Sequence, residues 1–530
     1  MLDHFITYIA LIVVILLLVM IARKLRIAYP ILLVIAGLLI SVMPGMPLLT
    51  INPQYIFVIF LPPLLYEAAW DTSWKDLWRW RRVVGSFAFL IVIFTSLVVA
   101  LVSSTVIPGF TMALGFLLGG ITSPPDAVSA ISVLKYVKVP KRLEVIIKGE
   151  SLLNDASSLI VFRFALIAVD TGHFIFREAV LSFVIVIAMG ILIGVLIGMA
   201  YYAIHRWLPT TPDMDVVLSL TAPYVMYIAA ERFHFSGVLS VVSGGLFLSA
   251  RSHLFLSSRS RLRGSNVWST IGFVLNGLVF MLIGLALPVI IRELGPVSFS
   301  GAIGYGVLIT AVLIVTRLLT AIGASYFTVW VSQYITTADP RPGLKAPLIF
   351  GWAGMRGVVS LAAALSIPNF LSDGSPFPER NLILFITFMV ILLTLVVQGL
   401  TLPKVIRWIK LEDPDHLLSG EEQNDYLRKK LAYKSISWLN QAHGETLKTN
   451  KAVQRLKERY ETDQLYEDED MNQEQEDYRT IYMNLLEHQR TILHEMNKKM
   501  ETDEGIIRKY LGMLDLEEEK LRIRFETEED

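Results

Sequence analysis

The sequence predicts an all-α, polytopic membrane protein with about thirteen spanning helices and a helical cytoplasmic tail. Three observations predict it. Apolar runs of bilayer length recur along residues 1–410, the basic residues between them alternate from side to side, and the composition turns acidic at residue 411. The chain is 54% hydrophobic and 18% charged, with mean hydropathy +0.55, where a soluble chain carries about 25% charged residues. Residues 1–410 hold 29 Lys/Arg and 17 Asp/Glu, net +12, and residues 411–530 hold 18 and 30, net −12. The zero formal charge is thus a cancellation between a transmembrane domain, 1–410, and an acidic cytoplasmic domain, 411–530.

A spanning helix needs about 20 mostly apolar residues. The candidates are 5–22, 28–43, 54–70, 83–105, 110–135, 148–169, 178–204, 214–231, 236–250, 266–291, 300–330, 344–369 and 381–409. The first run, Phe5 to Ala22, is too long for a signal-peptide core and reads as a retained helix. The odd-numbered loops and the end of the last span carry 22 basic residues, and the even loops carry only Arg177, Arg232, Arg292 and Arg380. By the positive-inside rule the N-terminus lies outside and the tail is cytoplasmic, in a cell membrane. One missed span would scramble this split, so the split also supports the count. There are no cysteines, which excludes disulfides and thiolate metal sites.

Two spans are interrupted. The fifth carries Gly119-Gly120-Ile121-Thr122-Ser123-Pro124-Pro125-Asp126, and the twelfth carries Gly351-Trp352-Ala353-Gly354-Met355-Arg356-Gly357. They lie seven helices apart, so helices 1–6 and 8–13 read as two six-helix halves, the second inverted by the odd offset. Interrupted segments at matching positions point to a transporter's binding site. Residues 411–530 read as amphipathic helices with an acidic hinge at Glu467-Asp468-Glu469-Asp470, after a helix end at Glu412-Asp413-Pro414-Asp415. They form either a solvated helical domain or one that senses pH or binds a regulatory ligand or protein.

With the charges of the loops, the span ends and the tail set aside, seven remain inside the spans: Glu67, Asp126, Glu150, Asp155, Arg163, Arg317 and Arg356. Each costs roughly 2.5–3.5 kcal/mol at the centre of a helix even on the lenient insertion scale, so such residues pair, face a cavity or carry function. Ser151, Asn154 and Asp155 share one helix face and offer a hydroxyl, an amide carbonyl and a carboxylate. These hard oxygens suit a hard cation; the same face would also serve as a polar packing seam. Asp126 follows two prolines whose missing N–H groups free backbone carbonyls. It caps the following half-helix, lines a cavity, or does both. Glu67 sits either inside or at the interface beside Trp70 and Asp71. Arg356 needs an acid, and Glu150 is the chosen partner. Arg163 pairs with an acid or reaches the interface, and Arg317 has no acid in its own segment. The nine histidines lie at helix ends, in loops or in the tail, and no HExxH, P-loop or GxSxG pattern occurs, so nothing points to an enzyme, a catalytic metal or nucleic acid.

The run Gly149-Glu150-Ser151-Leu152-Leu153-Asn154-Asp155, with the Pro/Asp break upstream and Gly354-Met355-Arg356-Gly357 downstream, resembles the monovalent cation/proton antiporters of the prokaryotic sodium/proton exchanger type. The resemblance covers residues 1–410 and not the tail. It implies thirteen helices, inverted six-helix repeats with crossed broken helices, and a homodimer. It implies sodium and proton binding at Asp155 and Asp126, with Ser151 and Glu67 as further sodium ligands, Asn154 orienting Glu67, and Glu150–Arg356 as a structural ion pair. The family often has Thr-Asp-Pro at the break; here Pro125-Asp126-Ala127 stands there, and the backbone carbonyl of Pro125 takes the threonine's role. With Asn154 beside Asp155 in place of two aspartates, the resemblance implies electroneutral, one-for-one exchange.

The expected mechanism is competition of sodium and proton for one site, followed by movement of the broken-helix bundle against a dimerising scaffold. No cofactor is expected, since sodium and protons are the cargo. The alternatives are a potassium or broad monovalent cation/proton antiporter and, in another class, a channel or a membrane sensor signalling through the acidic tail.

Overall fold

The computed structural model describes residues 2–43, 53–137, 139–172, 176–292, 294, 298–331, 343–410, 420–465, 471–497 and 504–525. Among these, every regular element is helical, and the strand-like pairing is one isolated bridge between Phe370 and Pro376. The chain divides into two compact units, Met1–Glu412 and Asp413–Asp530.

The first unit opens with α1 (Leu2–Leu25), α2 (Tyr29–Ser41) and α3 (Pro53–Asp71). The fourth predicted segment is α4 (Trp74–Gly85), a π-helical stretch Ser86–Ile91 and α5 (Val92–Val106). The fifth is split into α6 (Met112–Thr122) and α7 (Ala127–Leu134). Four long helices follow: α8 (Lys141–Thr171), α9 (Phe176–Trp207), α10 (Pro212–Arg232) and α11 (Gly237–Phe255). Next come α12 (Ser258–Leu285), the short α13 (Leu287–Arg292) and α14 (Phe299–Val331). The second split helix is α15 (Lys345–Trp352) and α16 (Val358–Leu365). The unit closes with α17 (Arg380–Leu393), a π-helical stretch Thr394–Gln398 and α18 (Gly399–Ile409).

Each of the thirteen predicted segments overlaps at least one helix, and the fifth and twelfth are interrupted where the sequence breaks. Among the described residues, eight helical runs are long and apolar enough to cross a membrane, and Tyr29–Ser41 is a shorter apolar helix. In hydrocarbon every backbone group must be satisfied within the protein, which favours helices, and the starts of these helices are built accordingly. Ser73, Thr111, Thr211, Ser236 and Ser257 each accept the N–H three residues on, capping α4, α6, α10, α11 and α12.

Within the first unit the helices pack in two groups. In one, α2 lies on α12, α3 on α11 and α12, and α9 on α10 and α11. In the other, α6 packs between α5 and α8, α14 lies on α15 and α17, and the second break joins through α16 on α6 and α17. The groups meet where α3 and α12 face α16, α3 and α11 face α8, and α2 faces α7. That seam is where the interrupted helices lie.

The second unit contains α19 (Gly420–Thr449), bent at His443, α20 (Lys451–Leu465), α21 (Met471–Asn497) and α22 (Glu504–Phe525). Here α19 packs on α20 and α21 on α22, with Arg490 of α21 bonded to Asp515 of α22 at 2.8 Å and to Glu518. The predicted helix end at Glu412 to Asp415 and hinge at Glu467 to Asp470 lie outside the described residues, as do Lys138, His173 and Arg341.

Candidate cation site

Two adjacent prolines end α6, because neither can donate to the helix ladder. The carbonyls this leaves free are met by side chains. Ser158 of α8 donates to Gly120 at 2.7 Å, Arg356 Nε to Thr122 at 3.0 Å, and Asn154 Nδ2 to Pro125 at 3.2 Å. Asp126 then starts α7 as its N-cap. Its carboxylate accepts the N–H groups of Val128 at 3.2 Å and Ser129 at 3.0 Å, and the Ser129 hydroxyl. The two breaks bond directly, the Asp126 N–H donating to the Met355 carbonyl at 2.7 Å. The Ala127 N–H donates to Ser151 Oγ at 3.2 Å, tying the first break to α8.

The π-helical stretches support the same assembly. Ser157 of α8 donates to the Ala88 carbonyl in one, and Thr394 Oγ1 in the other accepts the Arg356 N–H at 3.1 Å. A π turn shifts the ladder register and is frequent near functional sites.

A cavity of about 870 Å³ opens on this junction, and Glu67 of α3, Asp126, and Ser151 and Asp155 of α8 all line it. So do Tyr29 of α2 and Asn276 of α12. Arg23, Lys135 and Lys148, residues of the basic loops, line it as well. Lys148 pairs with Asp71 at 3.2 Å and Glu144 at 2.9 Å. Among the described residues, nothing forms an ion pair or hydrogen bond with the Asp155 or Glu67 carboxylate. No three or more carboxylates or imidazoles among them form a ready-made cage, so a cation here would draw on hydroxyl, carbonyl or water oxygens besides the acids. Gly357, at the end of the second break, gives Asp126 its seat: a Cβ there would stand 2.6 Å from the carboxylate carbon.

The expected Glu150–Arg356 pair is corrected. Glu150 is bonded instead by both terminal nitrogens of Arg317, at 2.8 and 2.7 Å, in a fork of two parallel bonds. Both side chains are almost inaccessible, 1% and 5% exposed. Arg317, which has no acid in its own helix, finds one on α8. Arg356 donates to the carbonyls of Thr122 and Gly354, serving the end of a half-helix where free carbonyls carry partial negative charge. Asn154 is corrected likewise: its amide holds the Pro125 carbonyl and makes no bond to Glu67. Pro125 keeps one lone pair for a further partner. Arg163 pairs with Glu231 at the end of α10, which also accepts the Gly237 N–H at 3.1 Å. Tyr29 and Glu231 were missed in the sequence, because a tyrosine and an acid at a helix end carry no local signal; Gly357 was read as part of the second break, but not as the seat of Asp126.

The family described as "Sodium/hydrogen exchanger, transmembrane" matches residues 9–408. The "Sodium, potassium, lithium and rubidium/H(+) antiporter" of Bacillus subtilis is 34% identical over 432 residues, 79% of this chain and 63% of that protein. The "Low-affinity Na(+)/H(+) antiporter NhaS1" of Synechocystis is 32% identical over 400 residues, 75% of this chain and 72% of that protein. The chain thus spans a little over three fifths of the Bacillus relative. The fold matches the solved structure of the sodium proton antiporter MjNhaP1 from Methanocaldococcus jannaschii at pH 8, with TM-score 0.56 and 20% identity, over 78% of this chain and 100% of that one.

Proposed function

This chain belongs to the sodium/hydrogen exchanger family, and on that premise we propose that it exchanges sodium for protons across a cell membrane by competition for Asp155 and Asp126. The observation that carries this is Asp155 itself. It is 8% exposed, faces a cavity wide enough for a hydrated ion, and has no cationic neighbour bonded to it among the described residues. A buried carboxylate without a fixed counter-charge must be met by a proton or a mobile cation. Asp126 sits across from it, already holding three donors from α7, and Ser151 and Glu67 complete the oxygen set. Cation affinity falls as pH falls, because the ligands must be deprotonated to bind.

The exchange is one for one, since position 154 is an amide whose donor is committed to Pro125. The cavity lining includes residues of the basic loops, so with the N-terminus outside, the site opens towards the cytoplasm. Alternating access follows when the group containing the breaks slides along the seam against the other, in a homodimer whose acidic tail has a regulatory role. No cofactor enters this scheme. A second reading, a broad monovalent cation/proton antiporter, is favoured by the four cations named for the Bacillus relative.

Full-length protein in liposomes with an imposed pH gradient tests both. Sodium-driven collapse of the gradient, lost in Asp155→Asn, supports the proposal. Equal rates with sodium, potassium and lithium favour the second reading. Exchange retained by Asp155→Asn overturns the site.

A further inference from the structure

Glu67 and the other cavity acids come from different groups of helices. Asp126, Ser151 and Asp155 are carried by α7 and α8, whereas Glu67 is on α3, which packs on α12. The spacing between Glu67 and the others is therefore set by how deeply its carboxylate sinks towards α12. At that point α12 has Gly272. A Cβ there would overlap the Glu67 carboxylate itself, both oxygens and the carbon, and no other group is among the three nearest atoms. The carboxylate lies flat on bare backbone.

Other glycines of α12 differ in kind. At Gly284 the obstructing atoms are the backbone of α2, namely the Val34 carbonyl and the Leu38 nitrogen, which cannot step aside. At Gly264 nothing lies within 4 Å. Only at position 272 is the obstacle the far end of a flexible side chain belonging to the cavity. A methyl group there meets the acid and none of the neighbouring backbone, and because Glu67 lines the cavity, the space on its far side from α12 includes the cavity.

We infer that Gly272 is the positioning residue for Glu67 and thereby sets the size of cation the site prefers. The inference rests on the sodium/proton exchange proposed above. A larger residue at 272 brings the Glu67 carboxylate nearer the oxygens of Asp126, Ser151 and Asp155. A tighter oxygen set favours the smaller ion, so the preference for sodium over potassium rises.

The test compares full-length variants in liposomes, reading KM for sodium and for potassium separately from the maximal rate. Gly272→Ala is expected to raise the sodium-to-potassium ratio of 1/KM by about tenfold, the lower end of what one methylene does in a pocket, with a smaller change in maximal rate. Gly264→Ala, on the same helix in open space, is expected to change neither. Placing Gly272→Ala on a Glu67→Asp background, where the side chain is one methylene shorter, should shrink the effect below threefold. Cation-dependent thermal stabilisation in detergent gives the same ratio without transport. Wild-type selectivity in folded Gly272→Ala overturns the inference, as does an equal shift in Gly264→Ala or an undiminished one beside Asp at 67. If Gly272→Ala fails to fold and Glu67→Asp does not rescue it, the obstacle is not the carboxylate and the inference falls. A wild type that exchanges no cation removes the proposed function, and this inference with it; exchange with an unaltered Gly272→Ala removes the inference alone.

Discussion

Glu150 and Asp155 stand five residues apart on α8, both nearly closed off from solvent at 1% and 8% exposure. Their surroundings are opposite. Glu150 is gripped by Arg317 in a two-bond fork and is not among the residues that line the cation cavity. Asp155 lines the cavity and is bonded to no cation among the described residues. The difference teaches that burial of a charge does not by itself mark a functional residue. A neutralised charge is a fixed part of the packing, and a charge left open to a cavity is available for exchange. The Glu150–Arg317 pair holds α8 to α14, so the same helix carries both an anchored acid and one left open to the cavity.

The strongest test of that contrast is Asp155→Asn. Exchange should fall at least about 100-fold, as when a directly participating group is lost, while thermal unfolding in detergent is unchanged or occurs at higher temperature. Glu150→Gln should do the reverse, destabilising the protein by about 3–5 kcal/mol because Arg317 is left buried and unpaired. The activity of the molecules that do fold should stay near normal. Replacing both partners by leucine should recover much of that loss. If Glu150→Gln instead silenced exchange at full stability, the contrast would be broken.

Asn154→Asp sharpens the comparison one residue from Asp155. The new carboxylate would face the Pro125 carbonyl, acceptor against acceptor, and the lost bond should cost about 1–3 kcal/mol. The smallest effect is expected for Arg163→Gln. Its partnership with Glu231 is partly solvated, the side chains being 40% and 27% exposed. Stability measurements should therefore register a loss of no more than about 1 kcal/mol.

Much of this architecture is legible in the chain. The spans show because hydropathy is a local property that needs no knowledge of neighbours, and α8 could be placed from its own residues. The breaks at Pro124-Pro125 and Gly354 to Gly357 show because proline and glycine act on their own backbone. The shared helix face of Ser151, Asn154 and Asp155 follows from helical periodicity alone. The partner of Glu150 was not legible: Arg317 and Arg356 were both unpaired bases in apolar helices, and complementary charge did not choose between them. Asn154 was misdirected for a similar reason, since its amide could serve any acceptor within reach and the one it bonds is the Pro125 carbonyl.

The sequence by itself determined that this chain spans a membrane, where its helices break, and which acids it carries into the apolar region. Tertiary structure alone decided which of those acids is neutralised and which is left open, because that depends on which helices lie side by side. Arg317 reaches Glu150 across 167 residues of chain, and Gly272 meets Glu67 only because α12 lies against α3. Coulomb attraction and steric exclusion act over a few ångströms in space, and the order of residues along the chain does not record those distances.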